Sequence, residues 1–174
     1  MATDSSFILG VDLDGVCGDY TGALRQVVAQ QRGGDLRSLP LERSWDFREW
    51  GLSPTEFERL HQAAVLEHRI FRTMPAFDGV AEVLWRLSDA GVWIRIITHR
   101  LFIPHFHETA VAQTVRWLDY HGVPYWDLCF MRRKGDVGAD HRADTTATTS
   151  SWSQPGWARA TALATERMAG TDAP

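Results

Sequence analysis

Two aspartates two residues apart, Asp12 and Asp14, follow an apolar run, Phe7-Ile8-Leu9-Gly10-Val11, and precede Gly15. Such a run reads as a buried parallel strand. Residues two apart on a strand share a face, so both carboxylates start on one side where the strand opens into a loop. Like charges this close are costly unless a cation or a phosphate sits with them. An Asp-Gly pair also ends strands with no chemical role, so the motif alone leaves both readings open. Thr98 closes a second apolar run, Val92–Thr98, and Lys134 follows a third, Asp127–Phe130, with Asp136, Asp140 and Asp144 beyond it. A carboxylate pair, a hydroxyl, an amine and a further carboxylate at successive strand ends form a kit for phosphoryl transfer. A carboxylate can attack phosphorus, a divalent metal can neutralise carboxylates and phosphate together, and Thr98 and Lys134 can hold the phosphoryl oxygens.

The elements that must position these groups are legible in the spacing. Leu24, Val27 and Val28 mark a helix over Tyr20–Gln31, closed by Gly33-Gly34. Ser53, Pro54 and Glu56 start a second helix that carries Phe57, Leu60, Ala64 and Val65. Asp78-Gly79 caps a third, with Val80, Val83, Leu84 and Leu87, ended by Gly91. A fourth runs from Glu108 to Tyr120 with Val111, Val115 and Leu118 on one face. Alternating strands and helices predict an α/β fold with a doubly wound parallel sheet. The stretch between the first strand and Pro75 is too rich in helix and aromatics for a loop, and reads as a small inserted helical cap. The expected organisation is a core of residues 1–18 and 76–144, a cap of 19–75 and an atypical tail of 145–174.

Composition narrows the function classes. The 174 residues are 44% hydrophobic and 23% charged, with a net charge of −4, an ordinary globular balance without the basic excess of a nucleic-acid surface. Two cysteines, Cys17 and Cys129, are too few for a disulfide framework and are expected reduced. No apolar segment reaches membrane-spanning length and Met1–Ser6 is polar, so the chain is expected in the cytoplasm.

The motifs Val11-Asp12-Leu13-Asp14-Gly15-Val16-Cys17-Gly18-Asp19-Tyr20, Ser44-Trp45-Asp46-Phe47, Phe71-Arg72-Thr73-Met74-Pro75 and Ile96-Ile97-Thr98-His99-Arg100, together with Lys134, resemble the haloacid dehalogenase superfamily. Within it the chain is most similar to the 5′(3′)-deoxyribonucleotidase type, over about residues 7 to 140. The resemblance implies a Rossmann-like core with a helical cap and Mg²⁺-dependent phosphomonoester hydrolysis of (deoxy)nucleoside monophosphates. It makes Asp12 the nucleophile and Asp14 the acid and then base, with a backbone carbonyl from Asp14 on Mg²⁺. It carries Thr98 and Lys134 as phosphate ligands and puts the third metal carboxylate on Asp144, with Asp140 as the fallback. His99 and Arg100 are candidates to face the phosphate or nucleoside. Trp45, Phe47 and Phe71, with Tyr20 and Trp50, are either cap core or rings that stack on a base. Arg43 and Arg72 are further candidates for a phosphate or sugar contact.

The chain departs from that family inside its fourth motif. Thr145 follows Asp144 where a second acid is expected, His141-Arg142-Ala143 is not an apolar strand, and a Thr/Ser/Ala tract replaces the terminal strand. This reads as a shifted reading frame or a rewritten tail, poorly ordered or docked as a loose helix around Trp157–Met168. A missing edge strand would uncover Ile8, Leu9 and Val11 and invite aggregation or a homodimer. The alternative function is an impaired or dead member of the same fold that only binds nucleotide or phosphate. His99, His105 and His107 lack cysteine or acidic partners at zinc spacing. A receiver-type signalling module is disfavoured because no aspartate ends Val92–Thr98.

Overall fold

The computed structural model describes residues 7–44, 46–101 and 106–131 and the backbone of 145–147. Strands β1 (Ile8–Val11), β2 (Trp93–Thr98), β3 (Asp127–Phe130) and β4 (Thr145–Ala147) form one parallel sheet in the order β3-β2-β1-β4. β1 and β2 lie centrally, as their near-continuous apolar sequences require. Their register pairs Val11 with Ile96, so Asp12 and Thr98 emerge at the same sheet edge. β2 and β3 are locked by an ion pair between the register partners Arg95 and Asp127, Nε to Oδ2 2.9 Å.

β4 corrects the expectation that the edge of the sheet beside Ile8, Leu9 and Val11 is left uncovered. Leu9 pairs with Thr145 and Val11 with Ala147. An edge strand has no need of an apolar run, and β-branched threonine suits the pleated backbone. Leu9 and Val11 are accordingly buried and Ile8 half-buried. Residues 148–174 lie outside the described residues, and with them the rest of the expected tail.

Helices α1 (Tyr20–Arg32) and α2 (Pro54–Leu66) start and stop where the caps demand. The Asp19 side chain accepts from Gly22 N at 2.8 Å, Gly33 ends α1 in the left-handed region, and Ser53 Oγ accepts from Glu56 N at 3.2 Å. A short α3 (Ile70–Thr73), unforeseen in the sequence, follows before Pro75. In α4 (Val80–Asp89) the cap differs from expectation: Gly79 is the N-cap, at φ 78°, and no side chain caps the helix. α5 (His107–His121) crosses back from β2 to β3. Its buried stripe is Ala110, Gln113, Thr114, Trp117 and Leu118, rotated from the expected Val111–Val115–Leu118 face. The rotation follows from hydrogen bonds across to residues 19–75: Trp117 Nε1 donates to Met74 O and Gln113 Nε2 to Val65 O, both at 2.8 Å.

Residues 19–75 leave and return side by side. Asp19 N donates to Pro75 O at 2.8 Å, Phe77 N donates to Cys17 O at 2.9 Å, and Gly18 bridges Ala76. The buried apolar residues of this insert, among them Leu24, Leu60, Ile70 and Phe71, join Leu9, Val11, Ile94 and Ile96 in a single core. Among the described residues no helix is long and apolar enough to cross a membrane.

The neck tolerates little at Gly18. A Cβ there would lie 2.5 Å from Met74 Cε and 3.1 Å from Trp117 Cζ2, in a fully buried setting. Gly18→Ala is expected to lower stability by about 1–3 kcal/mol, as overpacking does. Gly34→Ala, with nothing within 4 Å of the added carbon, is expected to be neutral or slightly stabilising. Thermal denaturation of the two variants checks this.

Candidate active site

The site grows from the end of β1. Asp12 follows directly, 6% exposed, and its Oδ1 accepts from Leu13 N at 2.8 Å. The carbonyl of buried Leu13 then accepts from Cys17 N and Gly18 N, both at 2.9 Å. This tight return needs Gly15 at φ 77°, which a side chain disfavours, and it swings Asp14 toward the insert. Both carboxylates act on the buried Cys17 thiol, whose pKa is pushed up chiefly by burial and then by Asp12.

Thr98 ends β2 beside them. Its side chain is fully buried, and among the described residues its Oγ1 has no hydrogen-bond partner, while its carbonyl accepts from Met131 N at 2.8 Å. A buried hydroxyl in that state lacks an acceptor or donor that something at the sheet edge must supply. β3 ends level with Thr98, Thr98 pairing with Phe130 at this edge of the sheet. Lys134, Asp140, Asp144, Trp45 and His105 lie outside the described residues. β4 runs parallel to β1, so its C-terminal end is the one beside Asp12, and after Ala147 the sequence holds no carboxylate before Glu166.

Arg100 occupies a different place from the substrate-facing one expected. It is 1% exposed and forks onto Asp14: Nη2 donates to Oδ1 at 2.6 Å, and Nε lies 3.2 Å from Oδ1 and 3.1 Å from Oδ2. Nη1 donates to Thr114 Oγ1 at 3.1 Å, and the guanidinium lies over the Phe71 ring at 4.4 Å. Phe71 is thereby engaged by protein, and so is Phe47, which stacks on Phe57 at 4.9 Å with Arg43 over its ring at 3.8 Å. Both candidate stacking rings are buried. His99 is half-buried after Thr98.

Sequence reading missed two groups. Thr114 holds Arg100, and a lone threonine inside a helix gives no sign of that role. The other is a buried pair, Tyr20 Oη and His61 Nδ1, hydrogen-bonded at 2.5 Å beneath Phe71 and Phe57. Burial, then Asp14, raises the Tyr20 phenol well above its ordinary range. Burial lowers His61 from 6.5 to about 4, with Asp14 working in the opposite direction.

For divalent metal, the described residues offer the Asp12 carboxylate and the loop oxygens of Asp14. These are hard donors that suit Mg²⁺, which commonly takes one or two carboxylates and fills its shell with water and substrate phosphate.

A family model described as "5' nucleotidase, deoxy (Pyrimidine), cytosolic type C protein" matches residues 6–150. The chain belongs to this family. It is therefore a member of a family of 5′-nucleotidases, enzymes that hydrolyse the phosphomonoester of nucleotides, as the resemblance in its motifs implied. A relative from Chlorobaculum tepidum, described as "Putative 5'(3')-deoxyribonucleotidase", is 51% identical over 137 residues, 78% of this chain and 68% of the relative. A hydrolase structure from Streptococcus pneumoniae TIGR4 is similar at TM-score 0.44 and 18% identity, over 72% of this chain and 66% of that one. A HAD family hydrolase from Deinococcus radiodurans, solved with bound phosphate and sodium, gives 0.44 and 20%, over 73% and 59%.

The buried imidazole sets a pH dependence. Between pH 6.5 and 4 the unfolded nucleotidase binds a proton at His61 that the folded one refuses, so stability is full above that window, falls through it and levels below it. The loss is about 3 kcal/mol. Urea denaturation at pH 7, 5.5 and 4 should show a steeper fall for the wild type than for His61→Gln.

Proposed function

We propose that this nucleotidase hydrolyses (deoxy)nucleoside monophosphates through a phosphorylated Asp12, with Mg²⁺ as cofactor, in the cytoplasm. The observation that carries the reading is the Thr98 hydroxyl: fully buried, without a partner among the described residues, at the sheet edge where Asp12 and Asp14 emerge. A phosphoryl oxygen supplies what that hydroxyl lacks.

An Asp12 oxygen attacks phosphorus, forming an acyl phosphate as the bond to the nucleoside oxygen breaks. The leaving oxygen takes a proton from Asp14. Asp14, then a carboxylate, takes a proton from water, whose oxygen attacks phosphorus, and Asp12 and inorganic phosphate separate. Thr98, and Lys134 from beyond β3, hold the phosphoryl oxygens where charge develops. Asp12 and the Asp14 carbonyl are the ligands read for Mg²⁺, which when bound neutralises carboxylate and phosphate charge. The third ligand named from the sequence, Asp144 with Asp140 as fallback, precedes β4, whose C-terminal end is the one beside Asp12, so neither is carried into this reading. The inserted residues 19–75 serve as the cap over this edge, with His99 and Trp45 as candidate nucleoside contacts. The Chlorobaculum relative's description favours a deoxyribonucleotide substrate, and the family's description favours a pyrimidine.

Asp12→Asn should abolish phosphate release, and Asp14→Asn should slow it roughly a hundredfold or more. Thr98→Ala should keep the fold and lose turnover. A chelator should stop the reaction and added Mg²⁺ restore it. Asp144→Ala is expected to leave Mg²⁺ binding unchanged, because Asp144 precedes β4 and only the C-terminal end of that strand lies beside Asp12. Phosphate release from a panel of nucleotides and aliphatic phosphates tests the substrate, and preference for the aliphatic esters would overturn the nucleotide reading. A protein that binds nucleotide with no turnover would establish the dead-enzyme alternative.

A further inference from the structure

We propose that Arg100 is a positioning residue that anchors the Asp14 carboxylate through Oδ1 and fixes the direction of its other oxygen beside Asp12, an inference that rests on the acid–base reading of Asp14. The two oxygens are held unequally. Among the described residues, Oδ1 receives both Nη2, at 2.6 Å, and Nε, at 3.2 Å, whereas Oδ2 receives Nε alone, at 3.1 Å. Asp14 keeps a quarter of its side chain exposed, so the less committed oxygen belongs to a group that substrate and water can reach.

The guanidinium itself is held on several sides. Thr114 Oγ1 donates to Ala110 O at 2.7 Å and so turns its lone pairs to accept Nη1. The face of Phe71 lies 4.4 Å away, and Met74 Sδ is 3.6 Å from Nη2. A fork fixed this way sets the direction of a carboxylate as well as its charge. Engaged by Asp14, Thr114 and Phe71, Arg100 cannot meet an incoming phosphate without abandoning these contacts. The pair joins residues 86 apart, and its partners come from the β2–α5 loop, α5 and α3, so Asp14 is held by both core and insert.

The test uses the full chain with p-nitrophenyl phosphate and Mg²⁺, comparing wild type, Arg100→Ala, Asp14→Asn and the double variant. Arg100→Ala is expected to lower kcat about a hundredfold with KM within about threefold, the signature of lost positioning. Added guanidinium ion should recover part of the rate, and Arg100→Lys should fall between, because an ammonium cannot fork. In the Asp14→Asn background, Arg100→Ala should cost nothing further.

A raised KM with kcat retained would make Arg100 a substrate contact and overturn the inference. So would losses that multiply in the double variant. If Arg100→Ala does not fold by circular dichroism, Thr114→Val serves instead, with kcat down about fivefold, the worth of one hydrogen bond, at unchanged KM. A folded Thr114→Val protein with wild-type kcat would overturn the proposal. A wild type that releases no phosphate would end the acid–base reading of Asp14, and this inference with it.

Discussion

A guanidinium taken out of water dictates much of this molecule. The transfer of the Arg100 guanidinium into the interior costs several kcal/mol unless its donors and faces are met. Asp14 meets it with a fork, Thr114 with a hydroxyl and Phe71 with the face of its ring. Each partner comes from a different part of the chain. The full set of these contacts is made only where the loop after β1, helix α5 and the returning end of the insert meet, so the buried charge couples the parts around the site.

The neck at Cys17–Asp19 and Pro75–Phe77 is the second constraint. Backbone bonds join its two strands, and Trp117 reaches across to hold the Met74 carbonyl. Gly18 lets Met74 and Trp117 approach the neck closely. Met74 also touches Arg100 through sulfur, so the neck and the Asp14 clamp share a side chain. The insert is therefore continuous with the core in packing as well as in sequence, and its apolar residues belong to the same cluster as the sheet.

The edge of the sheet shows how little apolar character a strand needs once its partner is buried on both faces. Thr145–Ala147 carries no large apolar side chain, yet it pairs along β1. Backbone hydrogen bonding to a strand whose other edge is already filled accounts for that placement better than burial of its own side chains.

Local chemistry was legible in the sequence. An apolar run ending in Asp12 and Asp14, caps at Ser53 and Gly33, and the hydroxyl at the end of β2 are set by neighbours a few residues away, where propensity and periodicity operate. The long-range choices were not. Which face of α5 turns inward was decided by where Trp117 and Gln113 find carbonyls from the insert. The partner of Arg100 lies 86 residues away, and no spacing rule reaches that far. The burial of Phe47 and Phe71 likewise depended on cations and rings brought to them by the fold. The sequence by itself determined the chemical groups at the strand ends, because side-chain type and strand alternation are local properties. Only the tertiary structure decided which charges were removed from water and therefore had to be paired, because desolvation depends on everything that packs around a group.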